Sequence, residues 1–245
     1  MAGEGHSPLE QFRIAPIVPL RLHEALDISL TNSGLAMLAA AFAAIAFFSF
    51  AVRRRELVPG RLQSVAELAY QFISDMVRNS VGDGGRRFFP MIFSVFIFVL
   101  FCNLLGLIPG AFTATSHISM TFALAVAMFV VLNVYGVARH GMKFFTLFLP
   151  HGTPIVFAPL IVVIELFSYL VRPVSLSIRL AANMIAGHTM LKVVAGFVPK
   201  LGLFGFVPIG FLVALTGFEL FVAVLQAYIF SLLLCVYLND AVNLH

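Results

Sequence analysis

From Phe88 to Ala138 the chain runs for 51 residues without an Asp, Glu, Lys or Arg. An ordinary soluble domain carries about one charged residue in four, so a stretch of this kind belongs in lipid rather than in a water-soluble fold. At about 1.5 Å per helical residue it is long enough to cross a ~30 Å hydrocarbon layer twice. Pro109, Gly110 and the polar tract Thr113-Ala-Thr115-Ser116-His117 interrupt it near the middle and supply a turn. The run reads as a transmembrane hairpin with arms from about Phe88 to Ile108 and from about Ile118 to Ala138.

The rest of the chain agrees. Of 245 residues, 61% are hydrophobic and 11% charged, and the mean hydropathy is +1.03. Residues 34–52 form an uncharged segment that ends in Arg53, Arg54 and Arg55, a first transmembrane helix whose C-terminal end faces the positive side of the membrane. In residues 61–80 the apolar residues Leu62, Val65, Ala66, Ala69, Phe72, Ile73 and Met76 recur at three- and four-residue spacing, opposite Gln63, Glu67, Gln71, Asp75 and Arg78. That pattern predicts an amphipathic helix on the membrane surface, since spanning would carry Glu67, Asp75 and Arg78 into lipid.

Two further apolar regions, 155–198 and 204–238, exceed the 20 or so residues that a perpendicular helix needs. They are expected to tilt strongly, to break, or both, with Pro173 the natural place for a bend. The expected architecture is an all-α integral membrane domain of about five membrane helices and one surface helix, with residues 1–32 an external N-terminal segment and no cleavable signal peptide. Five spans put the N-terminus outside and the C-terminus inside. Lys and Arg then number nine inside and four outside, as the positive-inside rule requires.

A net charge of +4 does not point to nucleic acid, because the arginines flank apolar segments. Cys102 and Cys235 lie within apolar stretches and behave as small hydrophobes. No cofactor and no metal site are expected, as the seven histidines form no pair at helical ligand spacing.

Chemistry concentrates in the last two regions. Glu165, Arg172, Arg179 and Glu219 sit in apolar sequence, where an ionised group costs about 2.5–3.5 kcal/mol on insertion scales. Glu165, Arg172 and Arg179 are seven residues apart and share one helix face within about 20° per step, with Ser168, Ser175 and Asn183 near the same stripe. His188 lies nine residues past Arg179, about 180° round the helix. Glu219 and Gln226 share a face of the following segment, and an antiparallel pairing would bring Glu219 to His188 and Gln226 to Arg179. Arg179 is the charge that calls for a function, being a buried arginine in mid-segment with no acid at i±3 or i±4. Arg172 and Glu165 read first as interfacial anchors or a structural pair, and Ser175 as satisfying a backbone carbonyl. Asn103 and Asn133 read as helix-to-helix hydrogen bonds, and His117, His140 and His151 as segment-end residues.

The run Arg172-Pro-Val-Ser-Leu-Ser-Ile-Arg179-Leu-Ala-Ala-Asn183-Met-Ile-Ala-Gly187-His188 closely resembles the signature of subunit a of the F-type ATP synthase. The likeness extends to Pro8-Leu-Glu-Gln-Phe12, Asn103-Leu-Leu-Gly-Leu-Ile-Pro109, Ser116-His-Ile118 and Gln226-Ala-Tyr-Ile-Phe230, in the family's order, with Arg13 departing from the acidic residue expected there. The resemblance implies a non-catalytic proton-translocating stator with two half-channels. Its implied partners are a rotating ring of c subunits, the peripheral-stalk b subunits and the other ATP synthase subunits, within a lipid membrane. Arg179 matches the family's essential arginine, Asn183 and Gln226 match positions beside it, and His188 and Glu219 match the pair lining a half-channel. Glu165, Arg172, Ser175 and Asn103 are supporting residues at most. The arrangement resembles the mitochondrial and alphaproteobacterial version, and a bacterial inner membrane with a periplasmic N-terminus is the expected location.

Two other classes compete for the same buried charges. A secondary proton or cation antiporter would call for repeated halves with paired discontinuous helices, which the sequence does not display. An intramembrane metalloenzyme or protease would need ligand or nucleophile spacing that is also missing.

Overall fold

Twenty residues of uncharged sequence after Thr31 fold as a single helix, α1 (Asn32–Ala51), in the computed structural model. The structure describes residues 16–18, 21–23, 26–27, 30–53, 58–108, 111–148 and 157–243. The Pro8–Phe12 motif, Arg13, Arg54, Arg55, Pro109, Gly110 and residues 149–156 with His151 lie outside them. Five more helices follow: α2 (Arg61–Val81), α3 (Phe89–Gly106), α4 (Ile118–His140), α5 (Ala158–Phe197) and α6 (Phe206–Val242). Ahead of α1, the strand β1 (Pro16–Val18) pairs antiparallel with β4 (Leu30–Thr31), and β2 (Arg21–His23) with β3 (Leu26–Asp27). These two short ladders have no counterpart in the sequence reading; the body of the protein is all-α.

Among the described residues, five helices are long and apolar enough to cross a membrane, within Asn32–Ala51, Asp83–Gly106, Ile118–Phe144, Ala158–Phe197 and Phe206–Val242. The remaining helix, α2, is the amphipathic one. Its 21 residues bury Ala66, Ile73, Met76, Val77 and Val81 and leave Glu67, Gln71, Asp75 and Arg78 exposed. It ends at Gly82, whose φ of 76° places it where a Cβ would be strained.

Neither long helix breaks. The 40 residues of α5 pass through Pro173 without interruption, and α6 runs for 37. At about 1.5 Å per residue these are roughly 60 and 55 Å long, so tilt or protrusion, and not a break, takes up the excess over a ~30 Å core. Ser177 donates its hydroxyl to the Pro173 carbonyl at 2.7 Å, one turn beyond the position where proline lacks an N–H.

The chain divides into two compact units, and the long helices contribute to both. The first takes the chain up to Phe47, Ile97–Ile118 and Leu180–Ala227; the second takes Phe48–Phe96, Ser119–Arg179 and Tyr228–His245. The second unit is held by aromatic edges and interhelical hydrogen bonds. Tyr169 on α5 stacks edge-on with Tyr237 of α6 at 5.3 Å, and its hydroxyl donates to Asn133 Oδ1 on α4 at 2.9 Å. Thr121 on α4 donates to the Ser177 carbonyl at 3.2 Å, and His140 donates Nε2–H to the Ala241 carbonyl at 3.1 Å. In α4, Gly136 has no room for a side chain, because a Cβ there would overlap the ring of Phe144.

Candidate proton-path site

The first unit collects the polar residues that the sequence scatters. Asn103 on α3 is fully buried and donates Nδ2–H to the Ala223 carbonyl of α6 at 3.1 Å, the helix-to-helix bond expected of it. Asn133 does the same kind of work in the second unit through Tyr169.

His188 on α5 is half-buried, with Nε2 3.1 Å from Thr113 Oγ1 in the loop between α3 and α4. Thr113 is itself buried and donates its hydroxyl proton to the Gly106 carbonyl at 3.3 Å. The imidazole and the hydroxyl are thus a hydrogen-bonded pair, with the donor set by the His188 tautomer. Sequence reasoning counted Thr113 only as part of the polar tract that turns the hairpin. Its polarity was visible in an apolar region; its partner, 75 residues away, was not.

Glu219 on α6 packs against the other neighbour. A Cβ on Gly187 would overlap Glu219 Oε1 and lie 2.8 Å from Cδ, so the glycine beside His188 is what admits the carboxylate against α5. Both carboxylate oxygens are buried, and neither has a hydrogen-bond partner among the described residues. The expected approach of Glu219 to the His188 turn is therefore present. Gly187 stood in the signature run, but its role as the gap that seats Glu219 is tertiary information. Gln226 is also buried, with Oε1 unpartnered among the described residues.

Arg179 requires a correction. The sequence reading made it a buried arginine; within its own chain it is exposed, as are Ser175 and Asn183 one turn to either side. Its guanidinium has no hydrogen bond or ion pair among the described residues. Apolar flanking sequence places a residue at membrane depth but does not say which side of the helix faces the protein's own core. The interior of α5 here is taken by Leu176, Ser177, Leu180 and Ala181, and Arg179 points the other way. Arg172 and Glu165 are half-buried and form no ion pair with one another, so the structural pair is not made. Arg172 lies close enough to Tyr169 and Tyr237 for its charge to act on both. Ser175 makes no bond to a backbone carbonyl among the described residues. Gln226 falls in the first compact unit and Arg179 at the end of the second.

The first unit thus carries a polar lining, and α5 carries a cation that is unpaired among the described residues. No group of three or more His, Cys, Asp or Glu among the described residues is placed to hold a metal ion. The family model for the ATP synthase A chain matches residues 34–239, which takes in nearly all of α1 and everything to the last turn of α6. The chain belongs to the ATP synthase A chain family. As a member of that family it is a proton-translocating stator subunit of the ATP synthase, a multi-pass membrane protein that works alongside the other subunits of the complex. The resemblance read from the Arg172–His188 run is thereby confirmed at family level, and the antiporter reading has no support.

Proposed function

We propose that Arg179 is the gate between two aqueous half-channels and acts on a carboxylate presented by a ring of c subunits. The observation that carries this reading is the exposure of an unpaired guanidinium on α5, on the same stripe as Ser175 and Asn183, in a helix long and apolar enough to cross the membrane. A charge so placed needs a partner, and in this chain it has none among the described residues. A carboxylate on another subunit supplies it. As a protonated ring carboxyl arrives, Arg179 stabilises the carboxylate form, the proton leaves into one half-channel, and a proton from the other half-channel reloads the ring before it leaves the subunit.

His188 and Glu219 line one half-channel in this reading. Nine residues separate Arg179 from His188, about 180° of helix, so the gate and the proton path use opposite sides of α5. Thr113 holds the imidazole, Gly187 seats the carboxylate, and Asn183 and Gln226 are assigned to proton translocation with them. A direct leak would dissipate about 2.3 kcal/mol per charge per 100 mV, and a guanidinium keeps its charge where a desolvated lysine would lose it. The subunit has no active site of its own; catalysis of ATP formation belongs elsewhere in the complex. The peripheral-stalk b subunits are further partners, the assignment is to the mitochondrial and alphaproteobacterial type, and the location is a bacterial inner membrane with the N-terminus periplasmic and the C-terminus cytoplasmic, following the distribution of arginines.

The test is Arg179→Ala in the assembled ATP synthase. Coupled, proton-driven ATP synthesis is expected to vanish while the complex still assembles; normal synthesis in that variant would overturn the reading.

A further inference from the structure

Between the end of α1 and the start of α2, in the second compact unit, lie two adjoining cavities that the proton path does not use. The inner one, about 270 Å³, is walled by Phe48, Ala51, Val52, Ala66, Tyr70 and Phe93. The outer one, about 510 Å³, shares Ala51 and Gln63 with it and is rimmed by Arg53 and Arg61. From this pairing we infer that the cleft between the end of α1 and the first turns of α2 is a binding site for one anionic phospholipid, with an acyl chain in the inner slot and the phosphate between Arg53 and Arg61.

Size favours a lipid chain. The inner slot falls just below the roughly 300–1,000 Å³ of pockets that house drug-sized molecules, and a helix about 10–12 Å across cannot enter it. A linear hydrocarbon can. Position favours it too: Arg53 follows the last turn of a membrane helix and Arg61 opens the amphipathic surface helix, so the mouth lies at headgroup level while the apolar wall descends beside Phe48.

Charge completes the argument. Neither guanidinium has an ion pair or hydrogen bond among the described residues, and the N-cap of α2, Gly60, puts no side-chain cap on the first turn. Two free guanidiniums, backed by uncapped backbone N–H groups, present donors suited to a phosphate diester. The one acid in the inner wall, Glu67, accepts a hydrogen bond from Gln63 Nε2 at 2.8 Å. Zwitterionic lipid brings a cationic headgroup to the same two arginines, so the site selects for net negative charge.

The experiment uses the assembled ATP synthase, stripped of lipid in detergent and re-equilibrated with phosphatidylglycerol or phosphatidylcholine of identical chains, with retained lipid counted by native mass spectrometry. The wild type is expected to hold one phosphatidylglycerol at this site in preference to phosphatidylcholine. Arg53→Gln with Arg61→Gln should weaken that retention by about tenfold or more, given the strength of charge-assisted bonds to phosphate. Ala66→Leu, which fills the slot and keeps both charges, should weaken it as well. Equal retention of the two lipids, or retention that neither change affects, overturns the proposal. So does a Gln63→Cys variant that cross-links to another subunit and not to a photoreactive phosphatidylglycerol, because the groove is then a protein interface. None of these readouts depends on proton transport, so they stand apart from the role given to Arg179.

Discussion

The carboxylate of Glu219 occupies the space that a Cβ on Gly187 would fill. Gly187→Ala therefore pushes against the end of a flexible side chain and not against backbone, and the fold can absorb it by moving that carboxylate. Assembly is expected to survive, while proton-driven ATP synthesis falls severalfold because Glu219 is displaced from the turn of His188. Shortening the acid restores the gap, so Gly187→Ala with Glu219→Asp should recover part of the loss. Failure of the pair to do better than Gly187→Ala alone would separate the glycine from the proton path.

Thr113 tests the other side of the imidazole. Thr113→Val keeps the shape but removes the hydroxyl that joins His188 to the Gly106 carbonyl. Proton-driven synthesis should drop severalfold without loss of the complex, and Thr113→Ser should restore it. Equal activity of the valine and serine variants would make the bond incidental.

For Asn103 the expected effect is on stability. Asn103→Leu removes its bond to the Ala223 carbonyl, and interhelical bonds of this kind in membranes are worth about 0.6–1.7 kcal/mol. The thermal midpoint of the detergent-solubilised complex should fall by a few degrees, with proton-driven synthesis in the folded fraction little changed. A large transport defect at unchanged stability would move Asn103 into the proton path.

Gly136 gives the second unit its own test. Gly136→Ala drives a methyl group into the Phe144 ring, and overpacking at such a contact costs about 1–3 kcal/mol. The substitution should lower the yield of assembled complex, and Phe144→Leu should relieve it. Wild-type yield from Gly136→Ala alone would show that the ring swings aside freely.

The sequence by itself determined the number of helices able to cross a membrane, the amphipathic helix and the family. Each is a one-dimensional property. The 51 uncharged residues of 88–138 specify two crossings because lipid tolerates no unpaired charge or open backbone, and the three- and four-residue apolar spacing of residues 61–80 specifies a helix with one wet side. The Arg172–His188 run carried the family because its residue types stand at fixed intervals on one helix. Nine residues of helix by themselves put Arg179 and His188 about 180° apart.

Tertiary structure alone decided which way those side chains look and what they touch. Arg179 is at membrane depth by sequence yet exposed within its chain, since hydropathy reports depth and not which neighbour covers a face. The bond between Thr113 and His188 spans 75 residues, and the seat of Glu219 depends on a missing side chain at Gly187. Contacts of that kind are fixed by how two helices pack, which no local pattern encodes.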